Sequence, residues 1–169
     1  MEKQEFFLLL PAIVYGVAVV DLLKIFRHKH SYWEMVAWGF MLMVYVVIIW
    51  LELWTKLGAV ATDKWFFILT IVNAVILAQA ASILTPEEKD SDTEKYFLLI
   101  RKKFFMLISL IVVVNLILQE FFFDDQRPIV LRLTILFLFL TCYLVDKVWI
   151  RAISVSIMVL SFFYIIANL

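Results

Sequence analysis

Glycine is nearly absent from this chain: Gly16, Gly39 and Gly58 are the only three in 169 residues. A phosphate-cradling loop, a dinucleotide fingerprint or a glycine-based ion filter needs clustered glycines, so these are excluded. Proline is equally sparse (Pro11, Pro86, Pro128) and falls at or near the ends of predicted helices. The sequence therefore gives no sign of the broken mid-membrane helices from which many secondary transporters build their sites. A single cysteine, Cys142, rules out a disulfide within the chain. The formal net charge is zero, so no nucleic-acid partner is expected. His28 and His30 have no cysteine nearby and read as part of a solvated basic loop, so no metal site is expected. No serine has a histidine and a carboxylate at suggestive spacing, and no cofactor motif is present. An enzyme is the class with least support.

What is abundant is apolar surface. Hydrophobic residues make up 65% of the chain and charged residues 18%, whereas soluble domains are about half apolar and a quarter charged. A water-soluble core of this size could not hide so much, so the bilayer is the expected solvent. Lipid requires backbone polar groups to be bonded internally, and the apolar runs are continuous rather than alternating, which selects helices over a barrel. The expected fold is all-α: a polytopic transmembrane helical bundle forming a single integral membrane domain over 1–169. About six helices are expected, at 6–26, 33–54, 65–84, 92–123, 129–145 and 148–167. The division between the last two rests on Asp146-Lys147, read as a tight hairpin.

Lysine and arginine placement sets the expected orientation. Lys24, Arg27, Lys29, Lys89, Lys95, Arg101, Lys102, Lys103, Lys147 and Arg151 fall on one side, and Lys3, Lys56, Lys64, Arg127 and Arg132 on the other. The richer side is assigned to the cytoplasm, which puts both termini outside the cell membrane's cytoplasmic face. Trp33, Trp54, Trp65 and Trp149 fall near the expected interfaces, where rings with one wet edge are favoured. The one sizeable polar stretch is 85–103. Thr85-Pro86-Glu87-Glu88 and Ser91-Asp92-Thr93-Glu94 both read as capped helix starts. From the second, the fourth helix runs on for about 45 Å, longer than the bilayer core needs. The excess is expected to extend into the cytoplasm, with Tyr96 to Leu99 facing lipid or a neighbouring chain.

Few polar groups lie within the apolar runs. Glu34, Trp38, Met41, Tyr45, Ile48 and Glu52 alternate at steps of four and three and so share one face of the second helix. Such a stripe lines either a polar path or a helix seam. Asp21 pairs with Lys24 or Arg27 on the same face, or sits at a pore mouth. Asn73, Asn115 and Gln119 act as hydrogen-bonding glue between helices or as solute ligands. Arg132 and Arg151 are both expected to snorkel toward the interface; for Arg132 the alternative is an ion pair with Glu120 or Asp124 across the turn before it. Ala12 with Gly16, and Ala74, Ala78 and Ala81, form small-residue stripes suited to close helix approach. The middle of every predicted helix is free of Asp, Glu, Lys, Arg and His, which argues against a proton pump or a voltage sensor.

Two functions remain. One is a channel or pore for an ion or small solute, formed by a homo-oligomer whose second helices supply Glu34, Tyr45 and Glu52. The other is a non-transporting scaffold or regulatory subunit that meets a protein partner through the charged segment 85–103.

Overall fold

The computed structural model describes residues 3–27, 31–55, 63–86, 92–122 and 129–167. Among them are six helices and no strand: α1 (Lys3–Ile25), α2 (Trp33–Thr55), α3 (Lys64–Leu84), α4 (Thr93–Phe122), α5 (Ile129–Leu144) and α6 (Val148–Ala167). The helix ends follow local chemistry. Asp63 caps α3, its side chain accepting from the amides of Trp65 (2.7 Å) and Phe66 (3.2 Å). Asp92 does the same for α4 by accepting from the Lys95 amide. That amide is the largest cause holding the exposed Asp92 carboxyl below its ordinary range, with the Lys95 ammonium adding to it. Thr85 caps the end of α3: its hydroxyl lies 3.0 Å from the carbonyls of Ala81 and Asp21, and Pro86 follows. Glu87 to Ser91 lie outside the described residues. Helix α1 begins early enough that Pro11 sits inside it, where it removes one backbone hydrogen bond. Residues 145–147 break the chain between α5 and α6.

The helices close into a ring. Its neighbours run α1, α2, α6, α5, α4, α3 and back to α1, with α3 also touching α2 across the interior. Small residues set the closest approaches: Ala18 on α1 and Ala74, Ala80 and Ala81 on α3 are fully buried. Gly39 of α2 meets Ile25 of α1, where a Cβ would lie 3.1 Å from Ile25 Cδ1. Gly16, by contrast, faces open space and takes no part in a close contact.

Apolar side chains cover the outside as well as the core. Val47, Phe137 and Phe163 point outward, while Leu22, Phe66 and Leu77 are fully enclosed. A helix apolar on all sides suits a membrane, and α2, α3 and α4 are long and apolar enough to cross one. Helices α5 and α6 are apolar but shorter. Exposed tryptophans mark both ends of the ring: Trp33 and Trp149 at one, Trp54 and Trp65 at the other. These are called the Glu34 end and the Glu52 end below. The extra length of α4 lies at the Glu34 end and divides its side chains. Leu98 and Leu99 face outward, whereas Phe97 is buried against Tyr32 with ring centroids 5.7 Å apart. Tyr96 also turns in, donating to the Ile83 carbonyl at 2.7 Å.

Candidate functional site

The interior of the ring changes character along its length. At the Glu34 end two arginines are buried. Arg151, on the first turn of α6, grips Glu34 with two parallel bonds, Nε to Oε2 at 2.6 Å and Nη2 to Oε1 at 3.0 Å. Its Nη1 donates to Asp146 at 2.8 Å. Arg101 of α4 reaches the same carboxylate at 3.3 Å and also donates to the carbonyls of Cys142 (3.2 Å) and Val145 (2.9 Å). It thereby satisfies carbonyls left open where α5 ends. Tyr32 completes the cluster: its hydroxyl donates to Glu34 Oε1 at 2.7 Å, and its amide donates to the Thr93 hydroxyl at 2.9 Å. Partial burial, and then the bond to Glu34 and its charge, push the Tyr32 phenol up to about 12, so it stays a donor at any physiological pH. Two positive and two negative groups balance in this cluster and tie α2, α4, α5 and α6 together.

Arg151 therefore does not snorkel. It is fully buried, because a carboxylate on α2 and one in the α5–α6 turn meet its guanidinium inside the bundle. The sequence holds no local sign of this, since Glu34 and Arg151 lie on helices far apart in the chain.

Next along the axis is an aromatic layer. Trp38 stands edge-on to Phe104, Phe105 and Phe139, with centroids 6.2, 5.2 and 5.8 Å away. Its indole N–H has no hydrogen-bond partner among the described residues. It is enclosed by rings whose faces accept such a proton weakly.

Beyond this layer packing is incomplete. A cavity of about 110 Å³ lies between α2, α4, α5 and α6, close in size to the ~150 Å³ apolar cavity that takes up benzene in an engineered protein. Leu42, Ile111, Ile135 and Met158 are among its apolar walls, and its polar lining is Tyr45, Asn115, Gln119 and Arg132. Arg132 pairs with Glu120 at 3.0 Å, and Glu120 is half-exposed. Asp124, the other expected partner, lies outside the described residues. Neither Asn115 nor Gln119 hydrogen-bonds to any of the described residues. A second space of about 10 Å³, room for one water, is lined by Tyr15, Glu52, Thr70, Asn73 and Asn115.

The expected stripe on α2 is real as a face. Glu34, Trp38, Met41, Ile48 and Glu52 are buried and Tyr45 is half-buried, and the stripe turns into the bundle of its own chain. Tyr45 and Asn73 hydrogen-bond across α2 and α3, at 3.1 Å to Nδ2 and 3.2 Å to Oδ1. Asp21 stays apart from this interior: it pairs with Lys24 one turn along α1. Sequence reasoning missed Arg101 as an interior residue. Its spacing from Phe97, Phe104, Phe105 and Ile108 puts it on the buried face of α4 and was the available signal. No group of three or more metal-ligating residues occurs among the described residues. Comparison with protein-family models, with curated proteins and with solved structures finds no match to this chain.

Proposed function

We propose that the protein is a membrane-embedded bundle that passes a small solute through the interior of a single copy, holding it in the cavity among α2, α4, α5 and α6. The observation carrying this reading is that the polar stripe of α2 faces the ring's own interior and that the cavity lies along it. The stripe of Glu34, Tyr45 and Glu52 then lies within one chain, with Tyr45 on the cavity wall, and assembly into a homo-oligomer is not needed to enclose the path. In this reading the ion-pair cluster and the aromatic layer form the closed end, and the Arg132 side is the entrance. The lysine and arginine distribution would put the closed end toward the cytoplasm.

The test is glycerol permeation by stopped-flow swelling of proteoliposomes. Wild type should swell faster than protein-free vesicles, and Trp38→Ala, which opens the aromatic layer, should swell several-fold faster again. Equal rates for empty, wild-type and variant vesicles would remove the reading.

One observation favours a second reading, a scaffold that binds a protein partner through the segment 85–103. Leu99 is 83% exposed, and Leu98, Lys95, Lys102 and Lys103 are exposed around it. In that case Leu99→Glu abolishes partner capture and leaves permeation unchanged.

A further inference from the structure

From the lining of the cavity we infer the class of molecule it takes: an uncharged amphiphile, with an apolar body and a head that both donates and accepts hydrogen bonds, such as an alcohol. This rests on the reading that the cavity holds a solute. Asn115 and Gln119 are four residues apart on one face of α4 and line the cavity together. Gln119 is buried, and the amides of both bond to no described residue. Each amide offers two donors and an acceptor. Amides at membrane depth normally find a partner on a neighbouring helix, so two without one beside an open space are placed to bond whatever enters it.

The charge of the head follows from the other two polar walls: the Tyr45 hydroxyl is neutral and bonded to Asn73. Arg132 is already matched by Glu120 at 3.0 Å, so the lining brings no uncompensated charge. A carboxylate or an ammonium entering here would give up its hydration without gaining a counter-ion, at a cost an uncharged head avoids. The remaining walls are aliphatic and aromatic, including Ile108, Ile111, Leu131 and Phe162. They favour an alkyl or ring body by area alone.

The experiment uses full-length protein in lipid nanodiscs and an octanol carrying a photoactivatable diazirine, with labelled sites mapped by mass spectrometry. Label is expected on cavity residues such as Ile111, Ile135 and Met158. Octanol should compete it away, with octanoate and octylamine weaker by about tenfold or more. Asn115→Leu with Gln119→Leu should cut labelling several-fold. Val112→Phe, which fills the cavity and keeps both amides, should cut it as well, so the idea stays testable if the double variant does not fold. Label spread evenly over the outward faces of the helices, or octanoate competing as well as octanol, overturns the inference. Glycerol permeation run on the same samples separates the two ideas. Permeation with an unlabelled cavity overturns the ligand class alone. Cavity labelling without permeation supports the ligand class and removes the transport reading.

Discussion

The two ends of this bundle handle polarity in opposite ways. At the Glu34 end every ionised group of the buried cluster has a partner, and a layer of packed aromatic rings lies behind it. At the Glu52 end the walls are looser, two amides have no partner among the described residues, and a cavity of about 110 Å³ remains. A buried charge left alone is so costly that a cluster like Glu34, Arg151, Asp146 and Arg101 is retained only when complete. A neutral amide left alone costs far less. Incomplete satisfaction can therefore persist at the second end, where a ligand can complete it. On the proposed reading, the difference gives rigidity to one end and binding to the other.

The strongest way to break that contrast is to unbalance the tight end. Arg151→Leu leaves Glu34 buried without its two-pronged partner and should destabilise the protein by about 3–5 kcal/mol, read by SDS titration in mixed micelles. Glu34→Gln should cost a comparable amount. The double variant Glu34→Met with Arg151→Leu should recover much of the loss, because paired removal leaves no enclosed charge alone: Asp146 is exposed and keeps Arg101, and the part-buried Tyr32 hydroxyl loses one neutral donor's bond. Strict additivity of the two single changes would show that the pair is not coupled.

Tyr32→Phe probes the wetter margin of the same cluster and should cost less, about 1.5 kcal/mol at neutral pH, for one hydrogen bond to a charged group. It also carries a pH signature. The folded-state phenol is raised to about 12 from an ordinary value near 10. The folded form thus holds its proton longer than the unfolded form between those values. Stability is intact below pH ~10 and falls as pH rises toward 12. Removing the phenol should flatten the denaturation profile in that window; a profile identical to wild type would mean that the phenol does not interact with Glu34.

How much of this contrast was legible in the sequence depends on the range of each interaction. The helices are written as uninterrupted apolar runs, so their number and limits could be read directly. The Arg132–Glu120 pair spans one short turn, so it was legible as an alternative to snorkelling, and the alternative is what forms. The α2 stripe was legible as a period, but a period does not say what it faces, and a face toward other copies fitted as well as a face toward the chain's own interior. Arg151 reads as snorkelling and Arg101 only as one of the cytoplasmic-side bases, because their partners are 117 and 45 residues away in sequence and nothing local names those partners. The small-residue rule worked for Ala74 and Ala81, which meet a neighbour, and failed for Gly16, which faces outward. The cavity was not legible at all. It is the remainder of how four helices pack, and no single residue encodes it.

At the loose end the expected effects shrink. Arg132→Gln should cost about 1 kcal/mol or less, because Glu120 is half-exposed and is rehydrated when its partner goes. That is several times smaller than the effect of Arg151→Leu, although both arginines are buried. What separates them is the surroundings of the acid left behind: Glu34 is wholly enclosed and Glu120 is not. Equal losses for the two arginines would erase the distinction between the ends.

The smallest expected effect tests the contrast from the other side. Gln119→Leu removes a cavity-facing amide that no described residue satisfies and replaces it with a side chain matching the apolar walls around it. Deleting a polar group that gains nothing from the fold should leave stability within about 0.5 kcal/mol of wild type, or raise it. The same substitution should weaken retention of octanol. A residue that contributes nothing to folding yet governs binding is positioned for a ligand. A large loss of stability on Gln119→Leu would instead place it among the interactions that hold the fold, and the loose end would then be an extension of the tight one.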